Sequence, residues 1–254
     1  MTKQLVVLMG LCGVLSAQPR AVLDVNNAVR VLALEGVTHH VQGIDTDGDR
    51  LWVTAVDRPT AKGFLYEYSM KDGKRLRSLE LQDGERYHPG GIATDATSIW
   101  IPIAEYKAHS SAVIQRRNKK TLDVEFQFTV PDHIGCIAVT PDLIIGGNWD
   151  SREFYVWNHE GLLLRKLESE TNNSYQDLKY SNGRIAGSGT LADRQGAVDW
   201  MDLASLRLVD RTLVGEVSKG TSLAREGMAV RGEQLLFLPE DDASRLFIFP
   251  SAVR

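Results

Sequence analysis

Cysteine is scarce, aromatic residues are few and long apolar runs are missing, and each shortage removes a class of protein. Two cysteines in 254 residues, Cys12 and Cys136, cannot make a disulfide framework. The longest apolar or small stretch, Leu5 to Leu15, is shorter than the roughly 20 residues a helix needs to cross a bilayer, so no membrane span is predicted. Charge of one sign is lacking too: 29 basic and 33 acidic residues leave a net charge of -4 with no basic stripe, which excludes nucleic acid as a partner. No segment keeps a helical apolar period, and there is no low-complexity stretch and no interdomain linker. The G-x-S-x-G elbow, the P-loop and H-E-x-x-H are absent.

What is present is enough for a packed core: 43% apolar and 24% charged residues are ordinary for a globular domain. Residues 1–17 differ from the rest. Lys3, the run from Leu5 to Leu15 and the small pair Ser16-Ala17 have the form of a signal peptide, which predicts export to the periplasm or the extracellular space. Leu11 before Cys12 is too bulky for a lipid-attachment signal, so no anchor is expected. Removal of this segment leaves Cys136 alone.

The remaining residues, 28–254, read as one domain organised by a phrase that recurs five times: H-V-Q-G-I from His40, H-P-G-G-I from His88, H-I-G-C-I from His133, S-Y-Q-D-L from Ser174 and A-R-E-G-M from Ala224. Starts spaced 41 to 50 residues apart mark a propeller or a solenoid, because one small sheet cannot bury its own faces. Each phrase opens a run of short alternating strands separated by turns such as Asp47-Gly48-Asp49 and Lys71-Asp72-Gly73-Lys74. The fifth run is one strand short, and the alternating segment Ala28 to Leu34 belongs to no run. The sequence therefore predicts an all-β, five-bladed propeller of four-stranded blades, its ring closed by that N-terminal strand in the last blade. A β-sandwich would explain the strands but not the matched phrases.

In such a ring the phrases and the loops joining second to third strands meet on one rim. Those loops carry Asp57-Arg58, Glu105-Tyr106-Lys107, Asn148-Trp149-Asp150-Ser151-Arg152, Asp193-Arg194 and Glu240-Asp241. The first column of the phrases is His40, His88, His133, Ser174, Ala224, and the third is Gln42, Gly90, Gly135, Gln176, Glu226. Alternation along a strand puts both columns on one face, and the glycines leave room for a bound group. Three readings of the histidines stay open: ligands of one divalent metal, Zn or similar, at an open three-His site; walls of an unmetallated polar pocket; or structural groups bonded to neighbouring blades. Glu226 and Asp177 are the candidate acid/base groups, Gln42, Gln176, Trp149, Glu105, Arg152 and Arg225 the candidate ligand-binding groups, and Cys136 is expected to pack between blades.

With those stretches in view, the chain resembles a family of functionally uncharacterised exported bacterial and fungal propeller-like proteins. The resemblance covers most of residues 35–250 and is carried by His39-His40-Val41-Gln42-Gly43, Tyr87 to Ala93, Ala104-Glu105-Tyr106, Asp132 to Cys136, Gly147 to Arg152 and Tyr175-Gln176-Asp177. It implies a fold and no activity. Val41-Gln42-Gly43-Ile44 and Glu226-Gly227-Met228 also resemble phrases of the plant-type glutaminyl cyclotransferases, themselves five-bladed propellers. Where that family's second repeat has a glutamate expected to act in catalysis, this chain has Gly90, and the acid of the column is Glu226. The expected partner is a small polar molecule in the central funnel. The expected chemistry is a hydrolase or lyase reaction, with a non-catalytic binding module and glutaminyl cyclisation as alternatives.

Overall fold

The computed structural model describes residues 22–241 and 244–250; the signal-peptide reading of residues 1–17 lies outside them. Five antiparallel blades stand around an axis. The first contains His40–Thr46, Arg50–Asp57, Lys62–Ser69 and Arg75–Leu81, and the third Ile134–Val139, Ile144–Asn148, Glu153–Trp157 and Leu163–Glu168. The fourth contains Ser174–Ser181, Arg184–Thr190, Gly196–Asp202 and Leu208–Val214. In the second the inner strand is broken into His88–Pro89 and Ala93–Thr94, both paired to Ser98–Ala104, with Ala112–Asn118 and Val124–Val130 outside.

The fifth blade is closed as the sequence predicts. Gly227–Arg231, Gln234–Leu238 and Arg245–Pro250 are completed by Arg30–Ala33, with Arg30 opposite Ile248 and Ala33 opposite Arg245. Ahead of it, Leu23 exchanges backbone bonds with Leu213 and Gly215, which straps the N-terminal segment across blade four as well.

Burial follows position in the blade. His40–Thr46 is buried almost throughout, while Arg75–Leu81 on the outside alternates strictly, one face on the core and one in solvent. Apolar residues gather in five clusters, one in each seam between blades. Trp52, Leu65, Ile101 and Val113 join blades one and two, and Cys136, Phe154, Leu178 and Ile185 join three and four. No blade has a core of its own, which is why the repeats stand together or not at all.

At the axis the inner strands come so close that side chains are excluded. A Cβ on Gly43 would meet the Gly91 backbone, and one on Gly91 would meet Asp177 and the Gln176 carbonyl. Asp177 places a fully buried carboxylate there. Its Oδ2 accepts the N–H of Ile44 of blade one at 2.9 Å and of Met228 of blade five at 3.1 Å. Its Oδ1 accepts Lys179 Nζ, which also donates to the Ile92 carbonyl of blade two at 2.6 Å. Burial pushes the carboxyl up, and the ammonium and backbone donors pull it back.

One ion pair thus ties blades four, one, two and five across the axis. Removing one partner of a buried pair leaves the other charge uncompensated, at about 3–5 kcal/mol. Asp177→Ala and Lys179→Ala are each expected to lower stability by that amount in denaturant titration. The double variant should lose less than the sum of the two, because both act on one network.

Candidate functional site

Above this constriction lies a cavity of about 310 Å³, lined by His40, Gln42, Arg58, His88, Tyr106, His133, Trp149, Gln176, Arg225 and Glu226 among others. The phrases reach it by a device more specific than alternation. The ladders slip between Val41 and Gly43, between Ile134 and Cys136, and between Tyr175 and Asp177, so Gln42, Gly135 and Gln176 are each the extra residue of a β-bulge. A bulged residue has no cross-strand partner and its side chain is re-aimed, here into the funnel.

The two glycines of that column differ. An added Cβ at Gly135 meets nothing closer than 3.8 Å, so this position does leave the cavity open. At Gly90 it would overlap the Gly135 carbonyl, so blade three's backbone fills the space and no larger residue fits.

Rim loops supply the other walls. Trp149 is presented by a tight turn in which Asp150 and Ser151 take positive φ values of 58° and 51°, and Ser151 is buried beneath with Oγ 3.3 Å from the Tyr175 carbonyl. Left-handed backbone at two consecutive non-glycine residues is a conformation that only packing sustains, and such strain gathers at ligand sites.

Hydrogen bonds fix the histidine tautomers. Gln42 Nε2 donates to the Val41 carbonyl, which turns its Oε1 toward His88 Nε2 at 2.7 Å. The proton of His88 is therefore on Nε2, and Nδ1 is a buried acceptor without a partner among the described residues. His133 Nδ1 donates to the carbonyls of Glu105 and Lys107, both at 3.0 Å, which leaves Nε2 as its acceptor. Burial holds both imidazoles below the ordinary range, so both are neutral near pH 7. Their rings lie 5.3 Å apart, with Tyr106 edge-on to His88 at 4.2 Å and Trp149 edge-on to His133 at 4.7 Å.

His40 faces a different group. Arg58 donates to its Nε2, so the ring proton is on Nδ1, 2.8 Å from Glu240 Oε1 and 4.0 Å from Glu226 Oε1. Arg225 Nε lies 3.1 Å from Glu240 and 3.4 Å from Glu226. Glu226 is 4% exposed; burial first, then the charge of Glu240, push its carboxyl up to about 8.

The three imidazoles do not assemble around one point. Among the described residues the group whose donor atoms approach one another is His40, Glu226 and Glu240, all within 4.8 Å. A metal on Nδ1 of His40 would force the ring proton onto Nε2, against Arg58, and Arg225 already lies within 3.4 Å of Glu226 and 3.1 Å of Glu240. These donors fit a proton-carrying cluster better than a cation.

Of the remaining expected site residues, Asp177 lies below the funnel in the axial ion pair. Arg152 donates to the carbonyls of Thr171 and Asn173 and sutures blades three and four. Glu105 pairs with Lys107 at 2.6 Å, and its contribution to the funnel is the carbonyl on His133. Arg58, Tyr106 and Glu240 were visible only as polar residues of rim loops; the loop position was their signal.

The crystal structure of Myxococcus xanthus glutaminyl cyclase is similar in fold, with a TM-score of 0.65 and 13% identity over 87% of this chain and 94% of that one. Kuenenia stuttgartiensis hydrazine synthase matches at a TM-score of 0.48 and 11% identity, over 81% of this chain and 58% of that one. BamB from Moraxella catarrhalis matches at 0.45 and 12%, over 84% and 60%. No curated protein matches the chain. Residues 60–185, which run from the first blade into the fourth, match the model of a family of unknown function (DUF6454).

Proposed function

We propose that the funnel is an active site in which Glu226 transfers a proton to or from a small polar substrate bearing a primary amide. The observation that carries this reading is Glu226 itself: a carboxyl buried in the wall of an open cavity, protonated near neutral pH, and beside His40 with its proton on Nδ1. Among the described residues its partners are the side chains of His40 and Arg225, whereas Asp177 is taken up by backbone N–H groups. An acid titrating near the working pH is the effective kind of proton carrier.

Substrate class follows from what the walls lack. His88 Nδ1 and His133 Nε2 are acceptors, so the bound group has to offer N–H or O–H donors between Tyr106 and Trp149. Arg58 and Arg225 stand where a developing negative charge on a carbonyl oxygen would be stabilised. A primary amide meets both needs. When it is attacked by water or by an amine of the same molecule, the C–N bond breaks as the new bond to carbon forms. Glu226, protonated at the start, gives its proton to departing ammonia and takes up the proton lost by the nucleophile, which restores it. The second case is the reaction in the name of the Myxococcus xanthus neighbour, so peptides with N-terminal glutamine head the substrates to try. The other reading, a non-catalytic module, keeps the same walls and drops the proton transfer.

Ammonia release from a panel of primary amides, including glutaminyl peptides, tests this reading. Turnover that falls roughly 10²–10⁴-fold in Glu226→Gln supports it. Ammonia from no member of the panel, or equal rates for the variant, overturns it. The rate should also fall as pH rises through about 8, where Glu226 loses its proton.

The same group has a stability signature. In the unfolded chain Glu226 ionises near its ordinary 4.5, whereas the folded protein holds the proton to about 8, so folding takes up a proton across that window. Stability contributed at low pH is therefore lost as pH rises from 4.5 to 8. Relative to Glu226→Gln, the native protein should lose about 3–5 kcal/mol over that interval, at 1.36 kcal/mol per pKa unit, in denaturant midpoints measured against pH.

A further inference from the structure

Blades one and two align at a constant offset over one stretch, in which Thr46, Asp47 and Trp52 correspond to Thr94, Asp95 and Trp100. In blade two the aspartate is fully used. Asp95 Oδ1 accepts the N–H groups of Thr97 and Ser98, both at 2.8 Å, and Oδ2 accepts the Trp100 indole N–H at 2.8 Å.

Blade one has the same residues in a different arrangement. Asp47 Oδ2 lies 3.4 Å from Lys119 Nζ of blade two, and Trp52 Nε1 has no hydrogen-bond partner among the described residues although the residue is 1% exposed. Buried indole N–H groups are ordinarily satisfied, because an orphan forfeits its hydration with nothing in return. Trp52 is thus a donor held ready in the seam.

It lines a cavity of about 860 Å³ between blades one and two, at the rim opposite the funnel. Four cations, Arg50, Arg77, Lys119 and Lys120, line it against two carboxylates, Asp47 and Glu67. Glu67 already pairs with both arginines, and Arg77 also donates to the carbonyls of Lys119 and Lys120, so these groups form a fixed floor. Lys119 joins the two unmatched groups: its Nζ sits 5.0 Å over the Trp52 ring and 3.4 Å from Asp47 Oδ2.

We propose that this seam is a second binding site, for a small molecule carrying a phosphate or carboxylate group. One of its oxygens accepts the Trp52 N–H, and its charge draws Lys119 and Lys120 inward. An anion meets both deficits, the unused donor and the excess of positive charge, and a neutral or cationic ligand meets neither.

Tryptophan fluorescence and thermal shift, titrated with inorganic phosphate and separately with citrate against sodium chloride of equal ionic strength, test the proposal in the full chain. Saturable binding beyond the chloride control, weakened roughly tenfold in Lys119→Ala/Lys120→Ala, is the expected result. Trp52→Phe, which removes the N–H donor together with part of the ring, should weaken it too. A response to one anion alone names the ligand as phosphate-bearing or carboxylate-bearing. No response beyond chloride, or a response unchanged in the double lysine variant, which marks an adventitious ion only, overturns the site. Should Trp52→Phe not fold, the double lysine variant and Lys120→Ala alone, which alters an exposed side chain, decide the matter.

Discussion

Five sheets can stand around an axis only if the polar backbone where they meet is satisfied, and in this protein that task falls to one carboxylate. The inner strands approach too closely for side chains, so their backbone groups face one another at the axis. Asp177 enters from blade four and accepts from blades one and five, and Lys179 carries the tie to blade two. A buried ion pair is weak evidence for stability in general, since desolvation offsets much of the attraction. Here it has a second consequence: it closes the channel from below. The funnel is therefore a blind pocket with one mouth.

That closure is what gives Glu226 its character. An open channel would hydrate both of its ends, and a carboxyl in it would ionise as it does in water. Above the plug, Glu226 is walled by the inner strands and crowded by Glu240, while Arg225 and Arg58 supply only partial relief. The cluster keeps one proton more than its solvated counterpart would, and the fold sustains this cost at its site as proteins commonly do.

The architecture was legible because repetition is a global signal. Five phrases set the number of blades, and the unassigned alternating segment before His40 identified the closing strand. The site was legible by half. First- and third-column residues reach the funnel, but through bulges, which depend on how two strands pair and leave no mark on either strand alone. Asp177 read as an acid/base group because a carboxylate in a recurrent phrase looks the same whether it faces a cavity or three backbone donors; the close approach of the glycines beside it decides. The histidines share a column without sharing a point, since Gln42, Glu105 and Arg58 orient their rings differently. Hydrogen-bond partners of this kind come from residues far apart in the chain, and no local pattern encodes them.

The closing strand has a consequence in time. Arg30–Ala33 is among the first parts of the domain to be made, and its partner Arg245–Pro250 among the last. Until the partner exists, neither the last blade nor the seams on its two sides can form, and the first blade waits with one flank bare. Loop closure over nearly the whole domain is entropically the dearest contact a chain can make, so the ring is expected to shut in a late, slow step. During that wait the unpaired third strand of the fifth blade is an exposed edge, and the N-terminal strand of another molecule would fit it as well as its own. The latch that makes the finished ring robust is thus also the point at which two unfinished rings could exchange.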